Sequence, residues 1–222
     1  MRYATIAVLV AGVLAMIFPF RRASSTPEET FWKWFREHEK EIFDFEKDQE
    51  KVFDQLGKAL ARVDENLTFE FSTKLENGKR EFVISAGGIK SAFPKVESLW
   101  STAPKLERWT FIKFRPRRAE IHDVQFKTRT VKGSQIKYLF FKDQDPNKIG
   151  IVLLLPGYRE KEREDFGQIG FLFLDQVLGE YDVEMRVGAV EFDALDSKYA
   201  DRANPLSELA MHFDEQFQSQ KK

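Results

Sequence analysis

Ile149-Gly150-Ile151-Val152-Leu153-Leu154-Leu155 is the stretch on which the fold turns. Residues 151–155 are aliphatic without interruption, and successive side chains of a strand point to opposite sides, so both faces of this strand are expected to be dry. That places it at the centre of a sheet. A second cover is then required, for which the long N-terminal helical region is the expected candidate and a homodimer interface the alternative.

Outward from this strand, residues 138–141 read as its hairpin partner across the turn Asp145-Pro146-Asn147. After Gly157 come a helix over about 164–178 and a strand over 184–192. The first half runs in the same order. A strand at 67–71 and another at 81–85 flank Glu76-Asn77-Gly78-Lys79, and Asn-Gly between alternating runs is a strong hairpin signal. The loop Ala86-Gly87-Gly88-Ile89-Lys90 leads to a helix over about 93–103 and a strand over 109–115. The correspondence is of element order and not of residues, and an extra hairpin over 121–129 separates the halves. The expected fold class is α+β: a mostly antiparallel sheet built from two ββαβ-like units, forming one domain over residues 26–222.

Two helical regions are expected to cover that sheet. Thr26-Pro27-Glu28-Glu29 reads as an N-cap, a proline at the first helical position and a capping-box glutamate. Apolar residues then recur by threes and fours from Phe31 to Val63, with His38 and Gln49 in the polar slots of the stripe. One unbroken helix over 27–63 would be about 55 Å long, too long for a domain of this size, so a break is expected near residues 43–47. At the other end Asn204-Pro205 reads as the cap of an amphipathic helix carrying Leu206, Leu209, Phe213 and Phe217.

Ahead of all this, residues 3–20 form a run of eighteen without a charge, just long enough to span a hydrocarbon core. Arg21 sits two positions before Ala23, which spoils a cleavage site, and Arg21, Arg22, Lys33 and Arg36 all follow the run. The segment over 1–25 is therefore expected to be a membrane anchor and linker, with the domain facing the cytoplasm. Export after signal cleavage is the alternative.

Composition removes several function classes. Of 222 residues, 35 are Lys or Arg and 36 Asp or Glu, so there is no broad basic field for sequence-independent nucleic-acid binding. Without cysteine there are no disulfides, thiolate metal sites or thiol nucleophiles. The 22 Phe and 4 Trp supply ample apolar area for a core.

Motifs of known chemistry fail on inspection. His38-Glu39-Lys40-Glu41-Ile42 starts like a zinc-protease helix, but Ile42 stands where the second imidazole is required. Asp143-Gln144-Asp145-Pro146-Asn147 imitates a calcium loop, yet its twelfth position is Leu154, so it reads as a hairpin turn. No nucleophile elbow, Walker loop or dinucleotide fingerprint occurs. His122 beside Asp123 sits on alternate faces of an extended chain, which disfavours mutual hydrogen bonding. Glu208 and His212 share a helix face and suit a surface hydrogen bond. Asn66-Leu67-Thr68 matches a glycosylation acceptor, of consequence only in an exported eukaryotic chain. No cofactor and no metal are expected.

Two features stand above this background. Ser85-Ala86-Gly87-Gly88 lies between a strand and a helix, where bare backbone N–H groups can line an anion site, although paired glycines also simply permit a tight turn. Lys113-Phe114-Arg115-Pro116-Arg117-Arg118 places Lys113, Arg115 and Arg117 on one side of an extended chain, and a solvated strand end is its plainer interpretation. Gly87, Gly88, Arg115, Arg117 and Arg118 are the candidate ligand-binding residues.

The stretches Phe31-Trp32-Lys33-Trp34-Phe35, Phe43-Asp44-Phe45-Glu46-Lys47-Asp48, Arg80-Glu81-Phe82-Val83-Ile84-Ser85-Ala86-Gly87-Gly88 and Leu178-Gly179-Glu180-Tyr181-Asp182-Val183 resemble segments of an uncharacterised bacterial domain of unknown function. The resemblance spans most of the chain after residue 26 and implies no activity, ligand or functional residue. Rich in core aromatics and poor in acid, base and nucleophile arrangements, the chain is expected to be a noncatalytic binding or regulatory domain for a protein or small anionic partner. An enzyme with a polar site at the Gly87-Gly88 loop is the alternative.

Overall fold

The computed structural model describes residues 25–220 and is an α+β fold. Thr26 caps α1 (Pro27–Glu37): its hydroxyl accepts from Glu29 N at 3.2 Å, and its own N–H donates to Glu29 Oε2 at 3.1 Å. The helical region is broken twice. After His38 comes α2 (Glu39–Phe43), then a single 3-10 turn, then α3 (Gln49–Ala61). The second break falls in the 43–47 window without any Gly or Pro. Side chains hold both bends: the His38 imidazole bonds Trp34 O at 2.9 Å, Lys47 meets Asp44 at 2.7 Å, and Lys51 reaches back across the bend to Glu41. Bending lets one apolar stripe wrap a curved core.

That core lies on a three-stranded sheet in the order β1 (Thr68–Phe71), β2 (Arg80–Ser85), β3 (Trp109–Lys113). β1 and β2 are antiparallel through a turn with Asn77 and Gly78 both at positive φ, as an Asn-Gly hairpin requires. β3 lies parallel to β2, and α4 (Phe93–Ser101) intervenes. The Trp32 indole donates to Leu99 O at 2.8 Å and so ties α1 to α4.

After the small hairpin β4 (Val124–Phe126) and β5 (Arg129–Val131), a four-stranded sheet has the order β8 (Val187–Ala194), β7 (Ile149–Leu155), β6 (Lys137–Lys142), β9 (Asn204–Pro205). β7 is interior and all seven of its residues are buried. Ile149, Ile151, Leu153 and Leu155 cluster with Phe166, Ile169 and Phe173 of α5 (Arg163–Leu178) and with Leu209 and Phe213 of α7 (Leu209–Gln220).

Three expectations are corrected here. The strands form separate sheets rather than one, and each larger sheet carries a parallel pair, β2 with β3 and β7 with β8, because a strand that returns through a helical crossover arrives parallel. The N-terminal helices cover the first sheet and not the second face of β7. On that face the Phe141 ring lies across Gly150, and Val152 and Leu154 belong to neither apolar cluster. Asn204 and Pro205 pair with β6, and Pro205 precedes a 3-10 turn (Leu206–Glu208) that α7 continues, without the side-chain cap expected.

The strand expected from residue 184 starts at Val187, preceded by α6 (Glu180–Arg186); Gly179, at φ 77°, ends α5 and lets the chain restart as a helix. The hydrophobic run over 3–20 and its linker lie outside the described residues. Among the described residues no helix is long and apolar enough to cross a membrane.

Candidate functional site

Apolar packing falls into two clusters, one beneath each larger sheet, and residues 114–123 run between the halves. The polar groups singled out in the sequence meet at this seam. β2 ends at Ser85, whose hydroxyl accepts from Gly87 N at 3.0 Å, and Gly87 and Gly88 both take positive φ. Their loop turns its amides inward onto Glu180, the first residue of α6, which is fully buried. Glu180 Oε1 accepts from Ala86 N at 2.9 Å and Gly88 N at 3.1 Å, and Oε2 accepts from Arg115 N at 3.0 Å. The Ala86 and Gly88 amides of the loop expected to face an external anion donate to the chain's own carboxylate.

Phe114, at φ 61°, accounts for the parting of the basic stripe. A bulky residue in that region is costly, and here it ends β3 and turns the chain so that Arg115 aims its backbone at Glu180. Lys113 stays on the strand and pairs with Glu97 at 3.0 Å. β3 ends at Lys113, and the three side chains reach different carboxylates: Lys113 to Glu97, Arg115 to Asp175 and Arg117 to Asp214.

Each arginine meets an internal carboxylate. Arg115 Nη1 donates to Asp175 Oδ2 at 2.7 Å, and its Nε lies 3.0 Å from Glu70 Oε1 without alignment for a hydrogen bond. Arg117 grips Asp214 through both terminal nitrogens, at 2.7 and 2.8 Å, meets Asp182 at 2.6 Å, and donates from Nε to Leu178 O. The hydrogen bonds to Asp214 above all hold Arg117 protonated. Among the described residues the Arg118 side chain reaches only Glu70, at 3.2 Å, and it keeps 51% of its exposure.

Arg115 and Arg118 share a groove of about 360 Å³ whose walls include Glu70, His122, Leu172 and Asp175. Arg117 lines a second cavity, which Lys113, Arg115 and Pro116 line as well. Burial pushes the Asp175 carboxyl up to about 6, Arg115 opposing and the charges of Glu180 and Glu184 adding to the rise. Glu184 is raised too, by burial first and Glu180 second. His122 stands exposed at the rim, its backbone held by Gln176, and Asp123 spends its carboxylate on Gly133 N. The two do not form a pair.

Elsewhere, Asp143 is a turn residue that accepts from Asp145 N and from Ala189 N. Glu208 and His212 stand 4.0 Å apart, and His212 Nδ1 bonds the hydroxyl of buried Tyr138 at 2.5 Å, a partner the sequence did not suggest. Among the described residues no group of three or more His, Cys, Asp or Glu is placed to hold a metal ion.

The chain matches no family model, no curated protein and no solved structure. The resemblance to an uncharacterised bacterial domain is neither supported nor opposed by that outcome. Sequence reasoning missed the acidic half of the seam: Glu70, Asp175, Glu180 and Asp214. Only Gly179-Glu180, a helix-ending glycine followed by a carboxylate, carried a local signal.

Proposed function

We propose that the chain is a noncatalytic recognition domain for a protein partner, and that an acidic segment of that partner docks in the groove beside Arg118. The observation that carries this reading is the contrast among the three arginines. Arg117 is clamped by two aspartates, Arg115 by Asp175, whereas Arg118 keeps about half its surface and one loose carboxylate contact. A guanidinium at the edge of a groove suits a carboxylate, and Leu172, exposed at 41%, offers an apolar contact alongside it. With the loop amides taken by Glu180, the anion-binding role moves from Gly87 and Gly88 to Arg118.

Titration with a hexaglutamate peptide tests it. Binding that Arg118→Glu weakens at least about tenfold at unchanged melting temperature supports the reading, since a rim charge contributes affinity without stability. Equal binding by wild type and variant, or none by wild type, overturns it.

One observation favours an enzyme instead. Asp175, raised to about 6, lines the same groove as His122, and a carboxyl group of that kind is suited to proton transfer near neutral pH. That chemistry would lie in the groove and not at the Gly87-Gly88 loop, and it predicts a turnover that Asp175→Asn abolishes.

A further inference from the structure

We propose that Ala86, Gly88 and the backbone of Arg115 form a carboxylate-binding nest, and that its resident ligand is the chain's own Glu180, which latches the second half of the molecule onto the first. The donor set defines the ligand class. Two N–H groups address one oxygen and a third addresses the other, a pattern that fits a planar two-oxygen anion. All three donors are backbone amides, and the Arg115 side chain points away to Asp175 and Glu70. A fourth bond, from Glu180 N to Arg115 O at 3.0 Å, fixes the ligand's own backbone.

The surroundings are shaped for this contact. Gly87, Gly88, Phe114 and Gly179 all have positive φ, and Phe114 is too bulky to adopt it without cost. A Cβ on Gly179 would stand 3.0 Å from Arg115 O and 3.2 Å from Arg117 N, tighter than a side chain normally packs, so the close approach of these two segments favours glycine. Glu180 is buried outright, and its negative charge is felt by Asp175 and Glu184, whose carboxyl groups it raises. The latch spans 94 residues to Ala86 and 92 to Gly88, and joins halves whose apolar clusters are separate. Arg115 serves both sides: its backbone holds the latch while its side chain lines the groove.

Amide hydrogen exchange on the whole chain tests the nest without any substitution. The amides of Ala86, Gly88 and Arg115 are expected to exchange as slowly as those of β2, and exchange as fast as the exposed loop at Gly157 overturns the proposal. Glu180→Ala is expected to melt at least about 5 °C lower and to regain that loss in formate, saturably, but not in chloride at equal ionic strength. A variant that melts within about 1 °C of wild type, or whose loss formate leaves unmoved, overturns it as well. Should Glu180→Ala fail to fold, Glu180→Gln decides. Its amide must set an NH2 against a backbone N–H, so it should melt below wild type and expose either Arg115 or the loop pair to exchange, and equal melting refutes the latch.

Discussion

Asp175 keeps its proton to a higher pH than a free carboxyl group does, and stability must follow. Its folded value of about 6 lies above the unfolded one near 4, so the stability it contributes is complete below about pH 4 and is lost as pH rises through 6. Glu184 acts in the same direction. Glu28, Asp143 and Asp214 are lowered, so their contributions are present above about pH 4 and vanish as pH falls further. Stability should therefore peak near pH 5. At about 1.4 kcal/mol per pK unit, Asp175 accounts for on the order of 1 to 3 kcal/mol between pH 7.5 and 5. Denaturant melts across that range should show the gain in wild type and a flattened profile in Asp175→Asn, and a wild type that weakens steadily from pH 7.5 to 5 would contradict the burial of this group.

Gly188 is a second residue whose environment is decisive. A Cβ there would run into the Asp143 carboxylate, which caps Ala189 N at the bulge between β7 and β8. Gly188→Ala must push the Asp143 carboxylate aside and hand that exposed N–H to solvent, so the urea midpoint should fall. Urea melts measure it, and a neutral effect would mean that Asp143 is not fixed at the bulge.

At the level of elements, β7 was the most legible part of the chain. Five aliphatic residues in succession, closed by Pro156-Gly157, suit a strand buried on both faces, and an interior strand with seven buried residues is what forms. Leu153→Ala should cost about 2 to 5 kcal/mol in denaturant, because Leu153 sits under α5 with no exposed surface, and a loss below about 1 kcal/mol would be incompatible with that position. The Asn77-Gly78 turn and the Thr26 cap were legible because each is decided by neighbouring residues, whereas the bend in the helical region followed only from the length one helix would have had.

What covers a sheet is decided by residues far apart in the chain. Val152 and Leu154 demand burial without naming their cover, and the N-terminal helices, apolar enough for either sheet, pack where Phe82, Trp109 and Phe111 meet them. The site was half legible on similar grounds. A run of arginines shows in the sequence, but the carboxylates that neutralise it come from β1, α5, α6 and α7, and only folding brings them to residues 114–118. The glycine pair showed a tight turn with bare amides, and nothing near it in the sequence pointed to Glu180, 92 residues from Gly88.

For the molecule as a whole, two apolar clusters are joined by a seam that is mostly polar but carries Tyr181 and Met185 of α6 against the first cluster, which raises the question of how far the halves unfold together. Trp32, Trp34, Trp100 and Trp109 all belong to the first half, so tryptophan fluorescence reports on that half alone, while far-ultraviolet circular dichroism reports on both. Arg117 is the natural place to intervene. From the connecting segment it binds Leu178 O at the end of α5, Asp182 of α6 and Asp214 of α7, and so anchors the connector to three helices of the second half. Removing one partner of a part-buried charge cluster is costly, because Asp214 loses its hydrogen-bonded cation and Asp182 is left with Arg186 alone. In wild type the fluorescence and dichroism transitions should coincide, as expected when the seam couples the halves. In Arg117→Ala the dichroism transition should begin at lower denaturant than the fluorescence transition, since the weakened half is the one that contains no tryptophan. Coincident transitions in the variant would show that the two clusters unfold as one body through apolar contact, with the arginine clamp contributing nothing to their coupling.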